Sequence, residues 1–322
     1  MKHKILIVSG DPNSINSEII YKTFKNLNAG IKNKIYIISN FNLLDKQFKK
    51  LKLKIKLTEV KSLNELKASN KLKIINVPLS FKNPFKVSSN EASKFVIKCL
   101  NMAHSLAMES KLKGIINCPV DKTLIKKTKK IGVTELLASK CNIKKNSEVM
   151  MIYNKNLSVV PLTTHIRVKN VSKQINYNLL KVKMITLNKY YKKLFNKKPK
   201  IGILGLNPHN AELSKDSEEI LKIKPSILKL KKKGLNVLGP LVSDTLFIEK
   251  YKKFNVVVGM YHDQVLTPFK SLFHFDAINI TLGLNYIRVS PDHGPGKDIV
   301  GKKKANSLSL TQCVKFINQL KT

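Results

Sequence analysis

The chain has 322 residues, 43% of them hydrophobic, and carries 60 Lys and Arg against 20 Asp and Glu, a formal charge of +40. That length suffices for two α/β domains or one large one, and no stretch approaches the roughly 20 apolar residues of a membrane span. A charge of this size suits a nucleic-acid partner, yet arginine occurs only at Arg167 and Arg288, and lysine is a poor substitute for arginine's bidentate and stacking contacts.

With lysine, asparagine and isoleucine all abundant, the charge reads as codon bias from an AT-rich genome. A specific nucleic-acid partner is set aside, leaving weak, salt-sensitive adhesion to polyanions. Against that background the two arginines mark places where a planar fork is needed.

In chain order, Ile5–Ser9 reads as a first strand. Its apolar stretch is too short for a signal peptide and runs straight into Gly10-Asp11-Pro12, so a cytoplasmic protein is expected. A helix is predicted over Glu18–Leu27, apolar at Ile19, Ile20, Phe24 and Leu27, with Gly30 as its stop. Strands follow at Lys34–Ser39 and Lys73–Val77. Ser88 and Glu91 make a capping box for a long helix through about Leu112, and Gly114–Val120 is a further strand. The lysine-rich patches at Lys49–Lys56, Lys126–Lys130 and Lys231–Lys233 read as solvated faces or turns. Cys99, Cys118, Cys141 and Cys313 form no CxxC pair and fit reduced thiols.

Three apolar runs then each end in a histidine: Leu157–Thr164 into His165, Ile201–Pro208 into His209, and Val256–Tyr261 into His262. An amphipathic helix over about Val171–Leu194 separates the first two, and a last strand is expected at Ala277–Leu282. Such alternation predicts an α/β fold of mostly parallel strands. No Pro/Gly/Ser linker interrupts it, so any division is into interleaved lobes.

Open parallel sheets place ligands beyond the carboxyl ends of their strands. Three imidazoles delivered there suit one catalytic metal with coordination positions left open. A single strand-end histidine is usually an ordinary polar residue; three of the seven histidines in one arrangement favour the metal. Thr163 and Thr164 set hydroxyls beside His165, Glu212 follows His209 as an acceptor, and Asp263 beside His262 is a candidate general base or imidazole-orienting group. An ordinary turn aspartate reads equally well at Asp263. Lys270, Asn279 and Arg288 suit a phosphate or carboxylate. The loop Pro291–Asp298 could hold a nucleotide, with Asp298 for a ribose hydroxyl, although no GxGxxG is present.

Taken in order, Gly10-Asp11-Pro12 with Glu18, Pro119-Val120-Asp121-Lys122, Gly132-Val133-Thr134-Glu135 and Thr163-Thr164-His165 make up the first half of a family pattern. Gly205-Leu206-Asn207-Pro208-His209, Gly239-Pro240 with Ser243-Asp244-Thr245-Leu246-Phe247, Tyr261-His262-Asp263-Gln264, Asn279–Leu284 and Asp292-His293-Gly294 complete it. Together these blocks resemble the 4-hydroxythreonine-4-phosphate dehydrogenases of pyridoxal phosphate biosynthesis. The resemblance implies a fold like isocitrate and isopropylmalate dehydrogenases, with two α/β/α lobes around a cleft. Residues 1–130 with 275–322 would form the cofactor-side lobe, and residues 131–274 the metal and dimer side.

It further implies a homodimer whose metal site draws on both subunits, with His165, His209 and His262 as ligands. Thr134, Lys270, Asn279 and Arg288 match substrate-binding positions, and Asp292, His293, Gly294 and Asp298 fall in the NAD or NADP region. Asp263, Asp244 and Lys122 are open candidates for the general base. Three histidines suit Zn²⁺, with Mg²⁺, Mn²⁺ or Co²⁺ as alternatives.

The implied reaction is NAD(P)-dependent oxidation of 4-phosphooxy-L-threonine, followed by decarboxylation to 3-amino-2-oxopropyl phosphate. Alternatives are the same chemistry on phosphothreonate or phosphoerythronate, or a basic, non-catalytic binding protein. The chain departs from the family at Val133, commonly histidine; at Asp121, commonly asparagine; at Asn210-Ala211-Glu212, which lacks a usual glycine; and over Asn13–Ser17, normally glycine-rich.

Overall fold

A computed structural model of the chain describes residues 3–65, 70–109, 112–130, 132–143 and 146–320. The chain divides into two compact units, Met1–Cys141 with Leu284–Thr322, and Asn142–Gly283. Both divisions fall later than the expected 130/131 and 274/275. The helix Val133–Lys140 packs on the helix Ser89–Glu109 of the first unit, while the strand Ile278–Leu282 pairs with Val149–Asn154 of the second.

The first unit contains β1 (Lys4–Val8), β2 (Ile35–Ser39), β3 (Lys56–Glu59), β4 (Lys71–Asn76), β5 (Leu112–Asn117) and, late in the chain, β12 (Arg288–Pro291). Their order is β3-β4-β2-β1-β5-β12, with every neighbouring pair parallel. β1 and β2 are continuous apolar runs because central parallel strands are buried on both faces. β3 went unread for the opposite reason. It is an edge strand with no buried residue, and it takes in the end of the Lys49–Lys56 patch; charged edges of this kind oppose further strand addition.

The first predicted helix begins slightly earlier than expected, at Asn16–Lys25, which puts Glu18 in its first turn where the helix dipole favours an anion. Half of the capping box at Ser88 forms: Ser88 Oγ accepts from Glu91 N–H at 3.4 Å, while the Glu91 carboxylate pairs with Lys94 instead. That helix ends at Glu109, short of the expected Leu112, which opens β5; residues 110 and 111 lie outside the described residues. Gly10 is required where β1 ends. Its φ is +75°, and a Cβ there would lie 2.6 Å from Pro119 O.

The second unit contains β6 (Val149–Asn154), β7 (Leu157–Pro161), β8 (Ile201–Leu204), β9 (Val237–Leu241), β10 (Val256–Gly259) and β11 (Ile278–Leu282), ordered β11-β6-β7-β10-β8-β9. β7, β10, β8 and β9 run parallel. β6 is antiparallel to both its neighbours, forming with β7 a hairpin that the sequence reading missed.

The expected helix Val171–Leu194 is broken. A turn at Val171–Gln174 gives way to extended Ile175, and Asn176 then caps a new helix, Tyr177–Phe195, by accepting from Leu179 N–H. The helix His262–Phe273 lays Val265, Leu266 and Phe269 into one core cluster with Val159, Leu204 and Val257 of β7, β8 and β10. That packing holds the start of this helix at the carboxyl ends of those three strands. All four cysteines are free and buried. No helix among the described residues is long and apolar enough to cross a membrane.

Candidate active site

β7, β10 and β8 are immediate neighbours, so the segments leaving their carboxyl ends lie side by side. The β7 exit continues the ladder, with Leu162 N–H donating to Gly259 O at 2.8 Å and Thr163 N–H to Met260 O at 3.2 Å. The Thr163 hydroxyl donates to that same carbonyl at 2.7 Å. It therefore secures the backbone, where the sequence suggested a role toward the imidazole or substrate.

Gln264 ties the other exits together. Its amide N–H groups donate to Gly205 O and Ser243 Oγ, both at 2.8 Å, and its Oε1 accepts from Met260 N–H at 2.7 Å. One side chain thus fixes the ends of β8 and β10 and the turn beginning at Ser243.

His262 stands at the first position of its helix, with Nδ1 2.8 Å from Asp263 Oδ1. With Nδ1–H donated to that carboxylate, the Nε2 lone pair is the one available to an electrophile. The His165 ring lies 5.9 Å from the His262 ring, centroid to centroid. His209 makes a separate group, with Nδ1 3.3 Å from Glu212 Oε1 and Nε2 3.4 Å from Asp244 Oδ2.

The other Asp244 oxygen accepts from Thr245 N–H at 2.7 Å. A cavity of about 430 Å³ is lined by His209, Asp244, Tyr261 and Gln264. The donors therefore arrive as two groups. Among the described residues no three His, Cys, Asp or Glu side chains converge closely enough to hold a metal.

The loop bearing His209 is held by two glutamates that sequence reasoning did not single out. Buried Glu219 accepts from Leu206 N–H at 2.6 Å, Asn207 N–H at 2.9 Å and the Asn207 side chain at 3.0 Å. Glu218 accepts from Asn207 Nδ2 at 2.9 Å, and hydrogen bonds from Ser172 and Asn207 lower its pKa. Beyond this grip, His209, Asn210, Ala211, Glu212 and Leu213 are all left-handed, with φ between 46° and 59°. Asn210 tolerates this region, but each of the other four costs roughly 1–2 kcal/mol, so the anchoring must outweigh considerable strain. Gly205 leaves room for the Asn210 and Glu219 side chains, since a Cβ there would fall 2.0 Å from Asn210 Oδ1 and 2.9 Å from Glu219 Oε1 and displace them.

Glu219→Ala leaves the half-buried Leu206 and Asn207 N–H groups without their acceptor and is expected to cost roughly 1–3 kcal/mol. A thermal or urea denaturation curve superimposable on that of the parent would contradict this account of the loop.

Of the other residues expected at the site, Lys270 lies on the exposed side of the His262–Phe273 helix. Asn279 is on β11, with Oδ1 buried and lacking a hydrogen-bond partner among the described residues. An orphaned buried acceptor of that kind calls for a ligand or water.

In the first unit Arg288, 3% exposed, donates from Nε to Asn117 Oδ1 at 2.5 Å and from Nη1 to Thr134 Oγ1 at 3.2 Å. Burial lowers its pKa to about 10, which leaves it charged at neutral pH. Lys122 opens a short 3-10 helix and is exposed. On the loop after β12, Asp292 N–H donates to Ser309 Oγ at 3.0 Å, His293 Nδ1 is 2.9 Å from Gly294 O, and Asp298 is exposed.

The family model described as "Pyridoxal phosphate biosynthetic protein PdxA" matches residues 31–317. The chain belongs to the PdxA family. It is 37% identical to a 4-hydroxythreonine-4-phosphate dehydrogenase of Sulfurihydrogenibium sp. over 99% of this chain and 98% of that protein. It is 31% identical to a D-threonate 4-phosphate dehydrogenase of Pectobacterium atrosepticum, over 77% of this chain and 78% of that one. The crystal structure of 4-hydroxythreonine-4-phosphate dehydrogenase from Klebsiella pneumoniae superposes with a TM-score of 0.86 at 28% identity, covering 98% of both chains. The expected α/β fold class is thereby borne out.

The structure also gives the departures from the PdxA pattern a physical setting. Val133 packs against the apolar cluster of the first unit. Ala211 takes a φ of 51° where a glycine would be unstrained. Asn13, in the loop that lacks glycine, bonds Val87 in both directions at 2.8 Å, so side-chain hydrogen bonds shape that loop.

Proposed function

We propose that this PdxA-family chain oxidises 4-hydroxythreonine 4-phosphate with NAD(P)⁺ and decarboxylates the product to 3-amino-2-oxopropyl phosphate. Family membership over nearly the whole chain supports the substrate. The observation that carries the chemistry is the set of three histidine-bearing exits from neighbouring parallel strands, with the His262 imidazole oriented by Asp263.

The donor chemistry fits a divalent metal. A carboxylate–histidine pair presents Nε2, a second imidazole stands 5.9 Å away centroid to centroid, and His209 faces a carboxylate across 3.4 Å. His165, His209 and His262 are the proposed ligands, Zn²⁺ the favoured ion, and a homodimer the proposed means of bringing the two groups together. When bound, the ion would polarise the substrate hydroxyl and the later carbonyl oxygen, and the nicotinamide would accept the hydride.

The protein's own part is to orient substrate and move protons. Arg288 and Thr134, with Lys270 and Asn279, are assigned to the phosphate and the amino-acid end. Asp263 is engaged with His262 and acts by orienting it. That leaves Asp244 and Lys122 as candidate bases for the hydroxyl proton, and Asp244, which lines the cavity, is preferred. Loss of hydride and proton gives a ketone β to the carboxylate. Loss of CO₂ then leaves an enolate that regains a proton at carbon. Asp292, His293, Gly294 and Asp298 are assigned to the cofactor.

A second reading keeps the chemistry and replaces the amino acid by D-threonate 4-phosphate, motivated by apolar Val133. Turnover of both substrates by the parent protein and by Val133→His separates the two. On the leading reading 4-hydroxythreonine 4-phosphate has the higher kcat/KM, and Val133→His lowers its KM by about tenfold through one added polar contact. A parent protein that turns over D-threonate 4-phosphate in preference would replace the leading reading with the second.

A further inference from the structure

Within the first unit β1, β5 and β12 are neighbours, and the loops leaving their carboxyl ends are fastened to one another. Ile15 N–H donates to Pro295 O at 3.1 Å. Gly296, with φ +59°, packs so closely that a Cβ would lie 3.0 Å from Ile15 Cδ1. One residue further on, Lys297 Nζ forms an ion pair with Asp121 Oδ2. The other Asp121 oxygen accepts from the Thr123 N–H and hydroxyl, both at 2.8 Å.

Asp121 is thus anchored at the β5 exit and grips the β12 loop. Hydrogen bonding from Lys297 pulls its pKa down to about 2, so the pair is ionised at neutral pH. The turn Lys297–Ile299 has no buried residue, so core packing does not set its position. An ion pair whose lysine is 61% exposed adds little to global stability. Its effect is local, on the segment that ends at Asp298.

We propose that Asp121 and Lys297 are positioning residues for the nicotinamide cofactor, fixing the turn that presents Asp298 and so setting NAD(P) affinity. This rests on the assignment of the Asp292–Asp298 loop to the cofactor. It also gives a consequence to aspartate, rather than asparagine, at position 121: the neutral side chain would leave Lys297 only the weaker attraction of Asp11.

The test is fluorescence titration of the full-length protein with NADH and with NADPH, alongside steady-state kinetics. Asp121→Asn and Lys297→Met should each weaken dinucleotide binding by about threefold to fivefold. The double variant should be no worse than either single one, and Lys297→Arg should bind as the parent does. KM for the oxidised cofactor should rise in step, with kcat and the thermal midpoint unchanged. Asp298→Ala serves as the reference. If it weakens binding while the pair variants do not, or if the two single effects add in the double variant, the positioning role is wrong and the cofactor assignment stands. If Asp298→Ala also leaves binding unchanged, the loop is not the cofactor site and the proposal falls with it.

Discussion

Replacement of His262 by alanine is expected to lower kcat/KM by about 10³-fold or more, and Asp263→Ala by roughly 10–100-fold, as for removal of a ligand and of its orienting partner. The two differ because Asp263 pairs with His262 Nδ1 across 2.8 Å, while Nε2 is the atom proposed to ligate the metal. Without the carboxylate the imidazole keeps its place on the helix but loses control of tautomer and ring angle. Excess divalent metal should therefore restore much of the Asp263→Ala activity and none of the His262→Ala activity. Equal, metal-insensitive losses in the two variants would contradict a carboxylate–histidine–metal arrangement. Because His262 is half-buried at a helix start and Asp263 is exposed, neither change should unfold the protein.

Arg288 should show the second large effect, with activity falling far more than stability. Its guanidinium is buried, held through Nε by Asn117 and through Nη1 by Thr134. Desolvation opposes its charge, so Arg288→Met removes an unfavourable burial as well as two hydrogen bonds. Exchange of a whole buried ion pair for apolar side chains is often neutral, but removing Arg288 alone strands the buried Asn117 oxygen, so a loss of about 1–3 kcal/mol is expected. Catalysis should respond more strongly, falling by roughly 10²–10³-fold in kcat/KM when the fork proposed to bind the anionic substrate is lost. Arg288→Lys should recover little, since an ammonium cannot keep both anchors and still present a planar pair of donors. Kinetics and thermal unfolding of both variants check this. A KM within a factor of about two of the parent's would remove Arg288 from the substrate site.

The features legible in the sequence were those that repeat or that are rare. β1, β2, β7, β8 and β10 announced themselves as continuous apolar runs because parallel strands buried on both faces need them. Arg288 stood out in a chain where lysine serves nearly everywhere else, and it proves buried and doubly anchored. Edge strand β3 has no apolar face to show, and β6 needed its hairpin partner to be recognised. Gln264 was legible only as a member of Tyr261-His262-Asp263-Gln264, and Glu218 and Glu219 not at all, because their partners are groups brought close by the fold. The five left-handed residues from His209 to Leu213 could not be read from composition either. Asn-Pro-His marks the loop, but only the glutamate grip explains how non-glycine residues hold that conformation.

The most direct test of the central claim is NADH or NADPH formation with 4-hydroxythreonine 4-phosphate, measured on chelator-stripped protein and again after adding Zn²⁺, Mg²⁺, Mn²⁺ or Co²⁺. Turnover should be negligible in the stripped protein and recover with at least one ion, and be lost again in His262→Ala. Full turnover in the stripped protein would contradict the metal role of the three histidines. No turnover with any ion, in folded protein that binds dinucleotide, would contradict the substrate assignment.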